Sequence, residues 1–293
     1  MKSFIITLFI FCTTSLAFSQ EKLTPTISGK FKADSVELYL ACYGVGSPTI
    51  IVHSGFGGAG SNGKWEEVIQ TVHRKNRICV YDRANTGKSD AFTNDYDLNI
   101  AVSQLHSLLN SANISPPYIM VGHSFGSYPI KLFNHLYSDE VKGILLVDPS
   151  QYGMFYNNMA KWNKNEEHYT KTFEERRIAE LASWNNPSQN PEKINLSATA
   201  KLIKNSNDFG EKPFVLLWAK DGIWNGGESP KNWHPMVWDR MKTMYKKAID
   251  DMHNLSVNRK IRFANTSEHN IYYYEPNAVV KEIKYILKQV KPY

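Results

Sequence analysis

The chain has 293 residues, enough for one large α/β core or two ordinary domains. Hydrophobic residues make up 42% and charged residues 21%, with 17 Gly and 13 Pro, close to globular averages, which excludes disordered, collagen-like and low-complexity chains. The formal net charge of +6 is scattered rather than gathered in a stripe, so it reads as the solvation of a secreted surface, with no nucleic-acid partner expected.

The first residues read as a leader. Lys2 supplies a positive start, residues 4–11 are apolar, and Ala17-Phe18-Ser19 places small residues at the positions a signal peptidase reads. Residues 1–19 are therefore expected to be a signal peptide and the mature chain to be periplasmic or secreted. Thr13, Thr14 and Ser15 break the apolar run short of the roughly 20 residues a bilayer span needs, so no stable membrane insertion is expected. Bulky Phe11 before Cys12 speaks against a lipid-modified cysteine. The mature chain keeps Cys42 and Cys79, which in an oxidising compartment invite a disulfide; the alternative is two small buried hydrophobes.

In chain order, strands are predicted near residues 24–31, 36–43, 49–53, 77–82, 118–121 and 143–148. Apolar residues at helical spacing predict helices over 64–74, 98–110 and 128–137. Two leading strands followed by strand–helix alternation argue for an open, largely parallel sheet covered on both faces. From 151 to 211 Asn, Lys and Glu dominate, and Trp162, Tyr169, Phe173 and Trp184 are interspersed. This is too long for a plain loop and is expected to be an inserted helical cap. It divides a core of residues 20–150 from a second core part, 212–293. The latter holds predicted strands at 213–219 and 259–264, a helix over 236–253 between them, and a closing helix over 277–290.

The string PYIMVGHSFGSY runs an apolar strand into Gly122-His123-Ser124-Phe125-Gly126 and then a helix. A serine on a tight strand-to-helix turn needs small residues two positions to either side, and the turn lifts its hydroxyl clear of the sheet. Ser124 is thus the candidate nucleophile; the bland alternative is an N-capping serine. Pro129 is expected to remove a hydrogen bond in the second turn of that helix. Serine needs a base from elsewhere in the chain, and His269 lies just beyond a predicted strand, where the loop would stand above Ser124. His123 reads as a structural neighbour and His53 as packing. The remaining histidines lack metal spacing, so no metal or organic cofactor is expected.

The base needs a carboxylate to fix its tautomer. Asp148 ends GILLVD and Asp221 follows FVLLWAK; either fits, and either could instead cap a turn. The glycine-rich HSGFGGAGSNGK offers the Phe56 backbone N–H to join that of Phe125 in an oxyanion hole. A phosphate-cradle reading of the same region fails by one residue twice. Trp65 follows Gly63-Lys64 where a hydroxyl belongs, and Asp82 stands where ANTGKSD would need its first glycine.

GSPTIIVHSGFGG, RICVYDRANTGKSD, PYIMVGHSFGSY and GILLVDPS together resemble the α/β-hydrolase superfamily over residues 36–290, within it a branch of secreted serine hydrolases known mostly as esterases or peptidase-like enzymes. The resemblance implies a mostly parallel eight-stranded sheet flanked by helices, with strand 2 beside strand 4, which would set Cys42 next to Cys79. It also implies Ser124 as nucleophile, His269 as base and the Phe56 and Phe125 N–H groups as oxyanion donors. Relatives usually carry glycine where this chain has Glu268. Their acid position after strand 7 falls on Gly222 rather than Asp221, whereas other members place the acid at the end of strand 6, favouring Asp148 with Asp221 as the alternative. Serine at 124 argues against the dehalogenase and epoxide hydrolase chemistries, which use aspartate there. Tyr81-Asp82-Arg83 reads as a turn with an internal ion pair.

The expected activity is hydrolysis of an ester, or a related acyl bond, of a small hydrophobic partner substrate, with the cap aromatics lining an apolar pocket. A proline-iminopeptidase-like amidase and a non-catalytic binder on the same fold are the alternatives. The oligomeric state is left open.

Overall fold

The computed structural model describes residues 23–93, 95–152, 165, 167–220 and 234–290. The predicted leader, Trp162, Asp221 and Gly222 lie outside the described residues.

Eight strands form one sheet: β1 Ile27–Ala33, β2 Val36–Tyr43, β3 Thr49–His53, β4 Ile78–Tyr81, β5 Tyr118–His123, β6 Val141–Val147, β7 Phe214–Trp218 and β8 Arg259–Phe263. Their order is β1-β2-β4-β3-β5-β6-β7-β8. β2 is antiparallel to both β1 and β4, and from β4 to β8 every pairing is parallel. The central strands β3, β4, β5 and β7 are buried at every residue, as a sheet covered on both faces requires. β1, at the edge, alternates half-buried and exposed. Cys42 faces Cys79 across the β2–β4 pair and is disulfide-bonded to it.

The helices are α1 Glu66–Val72, α2 Leu98–Ser111, α3 Ser127–Leu136, α4 Lys171–Asn185, α5 Leu196–Asn205, α6 Pro235–His253, α7 Ile271–Tyr274 and α8 Pro276–Gln289. Period-two alternation sorts the strand residues into two cores. Met120, Ile144, Leu146 and Leu216 pack with Leu105, Leu108 and Phe133 of α2 and α3. Ile119, Val121, Leu145 and Val215 face the other way, onto Val68, Val72, Ile283 and Ile286 of α1 and α8.

Several local expectations shift for physical reasons. α1 starts at Glu66 because Gly63 turns the chain with φ 80°. Pro129 is the third residue of α3, so its missing N–H falls in the first turn, where no helical acceptor waits for it, and not in the second turn as expected. The segment between β6 and β7 carries α4 and α5, and α5 packs on α2 and α3. Trp184 and Leu196 thereby join the core on that face, and Phe173 is buried as well. These aromatics are interior packing, which corrects the expectation that they line a pocket; Tyr169 donates its hydroxyl to Glu174.

Candidate active site

β5 delivers Ser124 at the carboxyl edge of the sheet. Its φ of 52° lies in the left-handed region that side chains avoid, and two glycines make the turn sterically feasible. A Cβ at Gly122 would sit 2.8 Å from the Gly126 carbonyl oxygen and one at Gly126 2.3 Å from that of His53, both inside van der Waals contact with fixed backbone. The chain continues through one tight turn into α3. Ser124 Oγ is hydrogen-bonded to Ser150 Oγ at 3.3 Å, and the Ser150 N–H donates to the Ser124 carbonyl at 3.1 Å.

Asp148 follows the last residue of β6, also with positive φ, 40°. Its backbone N–H donates to the Leu217 carbonyl at 2.7 Å and its Oδ1 accepts from the Ala219 N–H at 3.0 Å. Oδ2 takes the Nδ1–H of His269 at 2.6 Å. The carboxylate is almost fully buried while the imidazole is 45% exposed, so the ring is anchored through Nδ1 on a buried acid. This hydrogen bond selects the tautomer with the proton on Nδ1 and leaves Nε2 as the acceptor.

The loop carrying His269 is braced twice. Glu275 accepts from the N–H groups of Asn265 at 2.6 Å and Thr266 at 2.9 Å. His123 Nε2 donates to the His269 carbonyl at 3.0 Å, and the two rings lie 4.5 Å apart. Burial, and then the neighbouring His269, lower the pKa of His123 to about 3, so it stays neutral and serves as the structural neighbour. His53 is also buried, between the Tyr81 hydroxyl at 3.1 Å and Met120 Sδ at 3.4 Å. Burial and the Arg83 charge lower its pKa to about 3, so the ring stays neutral.

The loop after β3 closes on the same point. A Cβ on Gly55 would fall 3.0 Å from His123 Nδ1 and 3.3 Å from Ser124 Cβ, so the backbone there runs directly beside the serine. The Gly57 N–H goes to Glu192 Oε1 at 2.7 Å and the Gly58 N–H to the Gly55 carbonyl at 3.0 Å. Those of Phe56 and Phe125 have no acceptor among the described residues. Their rings pack together with centroids 5.0 Å apart.

Asp82 and Arg83 do not pair with each other, which corrects the expected internal ion pair. Asp82 accepts from the Ser61 N–H at 2.9 Å, the Ser61 hydroxyl at 2.6 Å and the Lys88 N–H at 2.8 Å. Arg83 instead reaches Glu192, Nε to Oε2 at 2.8 Å and Nη2 to Oε1 at 2.6 Å. Burial works against the guanidinium charge, and Glu192 overrides it, leaving the Arg83 pKa raised. Sequence reasoning missed Glu192, Ser150 and Glu275. Glu192 sits in a polar stretch that reads as surface, whereas Ser150 stands two residues beyond a candidate acid and was within reach of a positional argument. Among the described residues no group of acidic, cysteine and histidine side chains is placed to hold a metal ion.

Residues 48–221 match the family model described as the alpha/beta hydrolase fold. The uncharacterized protein YqjL of Bacillus subtilis is 31% identical over 35% of this chain and 40% of its own length. A 2-hydroxy-6-oxo-6-(2'-aminophenyl)hexa-2,4-dienoic acid hydrolase of Metapseudomonas resinovorans is 29% identical over 39% of this chain and 40% of its own. The chain thus spans about two fifths of the length of these relatives. Among solved structures, a thermophilic esterase from Thermogutta terrifontis superposes with a TM-score of 0.58 at 17% identity, over 91% of this chain and all of that one, a likeness of fold.

Proposed function

The chain belongs to the alpha/beta hydrolase fold family, and on that premise we propose that it is a serine hydrolase cleaving a carboxylic ester, or a related acyl bond, of a small hydrophobic substrate. Ser124 Oγ attacks the carbonyl carbon while His269 Nε2 takes the hydroxyl proton, and the Asp148 carboxylate stabilises the imidazolium that forms. The negative charge on the carbonyl oxygen is met by the N–H groups of Phe56 and Phe125. Collapse breaks the bond to the leaving alcohol, which receives the proton from His269. Water, deprotonated by the same imidazole, then cleaves the acyl-serine, and the proton returns to Ser124. No step calls for a metal or organic cofactor.

The observation that carries this reading is the 2.6 Å contact of the buried Asp148 with His269 at the carboxyl end of the sheet that presents the strained Ser124. Ligands on open α/β sheets bind at that end. The half-exposed Phe56 ring offers an apolar surface beside the serine, which favours a hydrophobic group there. The reading includes export through the leader at 1–19, with the Cys42–Cys79 disulfide suited to an oxidising compartment.

The Ser124–Ser150 hydrogen bond favours one second reading, a ligand-binding protein whose serine is not activated, although catalytic hydrogen bonds often form only with substrate in place. A fluorophosphonate probe separates the two. Labelling that disappears in Ser124→Ala supports the hydrolase; folded wild-type protein that stays unlabelled and does not turn over p-nitrophenyl acetate supports the binder.

A further inference from the structure

Glu192 lies far from Ser124 in sequence, in the polar stretch between α4 and α5, yet its side chain is completely buried. Its carboxylate makes three bonds: two from Arg83, at 2.8 and 2.6 Å, and one from the Gly57 N–H at 2.7 Å. Arg83 directs two further donors to the same loop, Nη1 to the Ser54 carbonyl at 2.9 Å and Nη2 to the Gly55 carbonyl at 2.8 Å. The Asn85 amide donates to the Glu192 carbonyl at 2.8 Å and holds the main chain of the acid in place.

The bonds bracket Phe56. The peptide before it is held by its Gly55 oxygen and the one after it by the Gly57 N–H, so both planes that define the Phe56 conformation are pinned. The Gly55–Phe56 bond is trans, and in a trans peptide the carbonyl and the following N–H point in opposite directions. Binding the Gly55 oxygen to the buried guanidinium therefore turns the Phe56 N–H away from it, on a loop whose Gly55 abuts Ser124. Arg83 could hold the two carbonyls only with its charge compensated, because an unpaired guanidinium at this depth is strongly disfavoured.

We propose that Glu192 is a positioning residue for the hydrolysis: acting through Arg83 and the Gly57 N–H, it sets the aim of the Phe56 N–H on the developing oxyanion. The segment between β6 and β7 thereby contributes to the rate. This rests on the serine hydrolase reading above.

The test uses Glu192→Gln, close in shape but unable to compensate the guanidinium charge, with p-nitrophenyl acetate and its thiono analogue as a matched pair. An N–H aimed at oxygen is worth less to the larger, weakly accepting sulfur, so loosening the donor lowers the preference for the oxo ester. The expected result is a kcat some 10- to 100-fold lower with KM changed less than threefold, together with a smaller oxo-to-thiono rate ratio; complete loss of one such donor costs about 10²–10³ in kcat. Folded Glu192→Gln with wild-type kcat, or with both esters slowed equally, overturns the proposal. Should this variant not fold, Asn85→Asp loses the donor to the Glu192 main chain while keeping an acceptor for the Phe92 N–H, and it is expected to move kcat and the ratio in the same direction by a smaller factor. An unchanged ratio there is equally decisive. Wild-type protein that neither labels with fluorophosphonate nor cleaves either ester would instead sink the hydrolase reading itself.

Discussion

His269 Nδ1 lies 2.6 Å from Asp148 Oδ2 although 121 positions of sequence separate the two residues. Asp148 reaches this spot at the end of β6 with a left-handed backbone, φ 40°, which Asn tolerates better than most residues. Asp148→Asn is therefore expected to fold like the wild type while losing the charge and the tautomer control. A fall in kcat of about 10³–10⁴-fold for p-nitrophenyl acetate is expected; a variant within tenfold of wild type would remove Asp148 as the acid.

Ser124 holds its hydroxyl on a strained backbone, φ 52°. Glycine adopts that conformation freely, so Ser124→Gly is expected to stabilise the protein by about 1 kcal/mol, roughly 2 °C in Tm, while abolishing fluorophosphonate labelling. Thermal unfolding of the two proteins side by side measures it, and a lower Tm for the glycine variant would contradict the strain argument.

His53 and His123 are both buried with pKa lowered to about 3, against roughly 6.5 in the unfolded chain. Between those values the unfolded state binds more protons than the folded state. Stability contributed by these two groups is therefore complete above about pH 6.5 and is lost as the pH falls toward 3, at up to about 1.4 kcal/mol per pH unit for each histidine. Urea midpoints from pH 7 down to 4 should show the slope, and His53→Gln should make it shallower.

Cys42 and Cys79 close a loop with a sequence separation of 37. Cross-linking a loop of this length removes about 4 kcal/mol of unfolded-state entropy in the chain-entropy picture. The double alanine variant is expected to unfold at a clearly lower urea concentration than the wild type while keeping its kcat, because the bridge joins β2 to β4 away from Ser124. Equal midpoints for the reduced and oxidised wild type would count against it.

Sequence alone determined the features that depend on neighbouring residues. The apolar runs of β3 to β7, the glycines two positions either side of Ser124, and the polar stretch that separates β6 from β7 are all local patterns, since period, turn sterics and composition act over a few residues. Which acid meets His269 was a different matter. Asp148 and Asp221 both follow apolar strands, and only the tertiary packing that brings the loop after β8 to the end of β6, although β7 lies between the two strands in the sheet, sets Asp148 against the imidazole; Asp221 lies outside the described residues. The partner of Arg83 was hidden for the same reason. Asp82 adjoins it in sequence, yet Asp82 is taken by Ser61 and Lys88, and a carboxylate arriving with the segment between β6 and β7 completes the pair. Such pairings depend on which distant surfaces pack together, and a buried charge accepts whichever partner that packing carries to it.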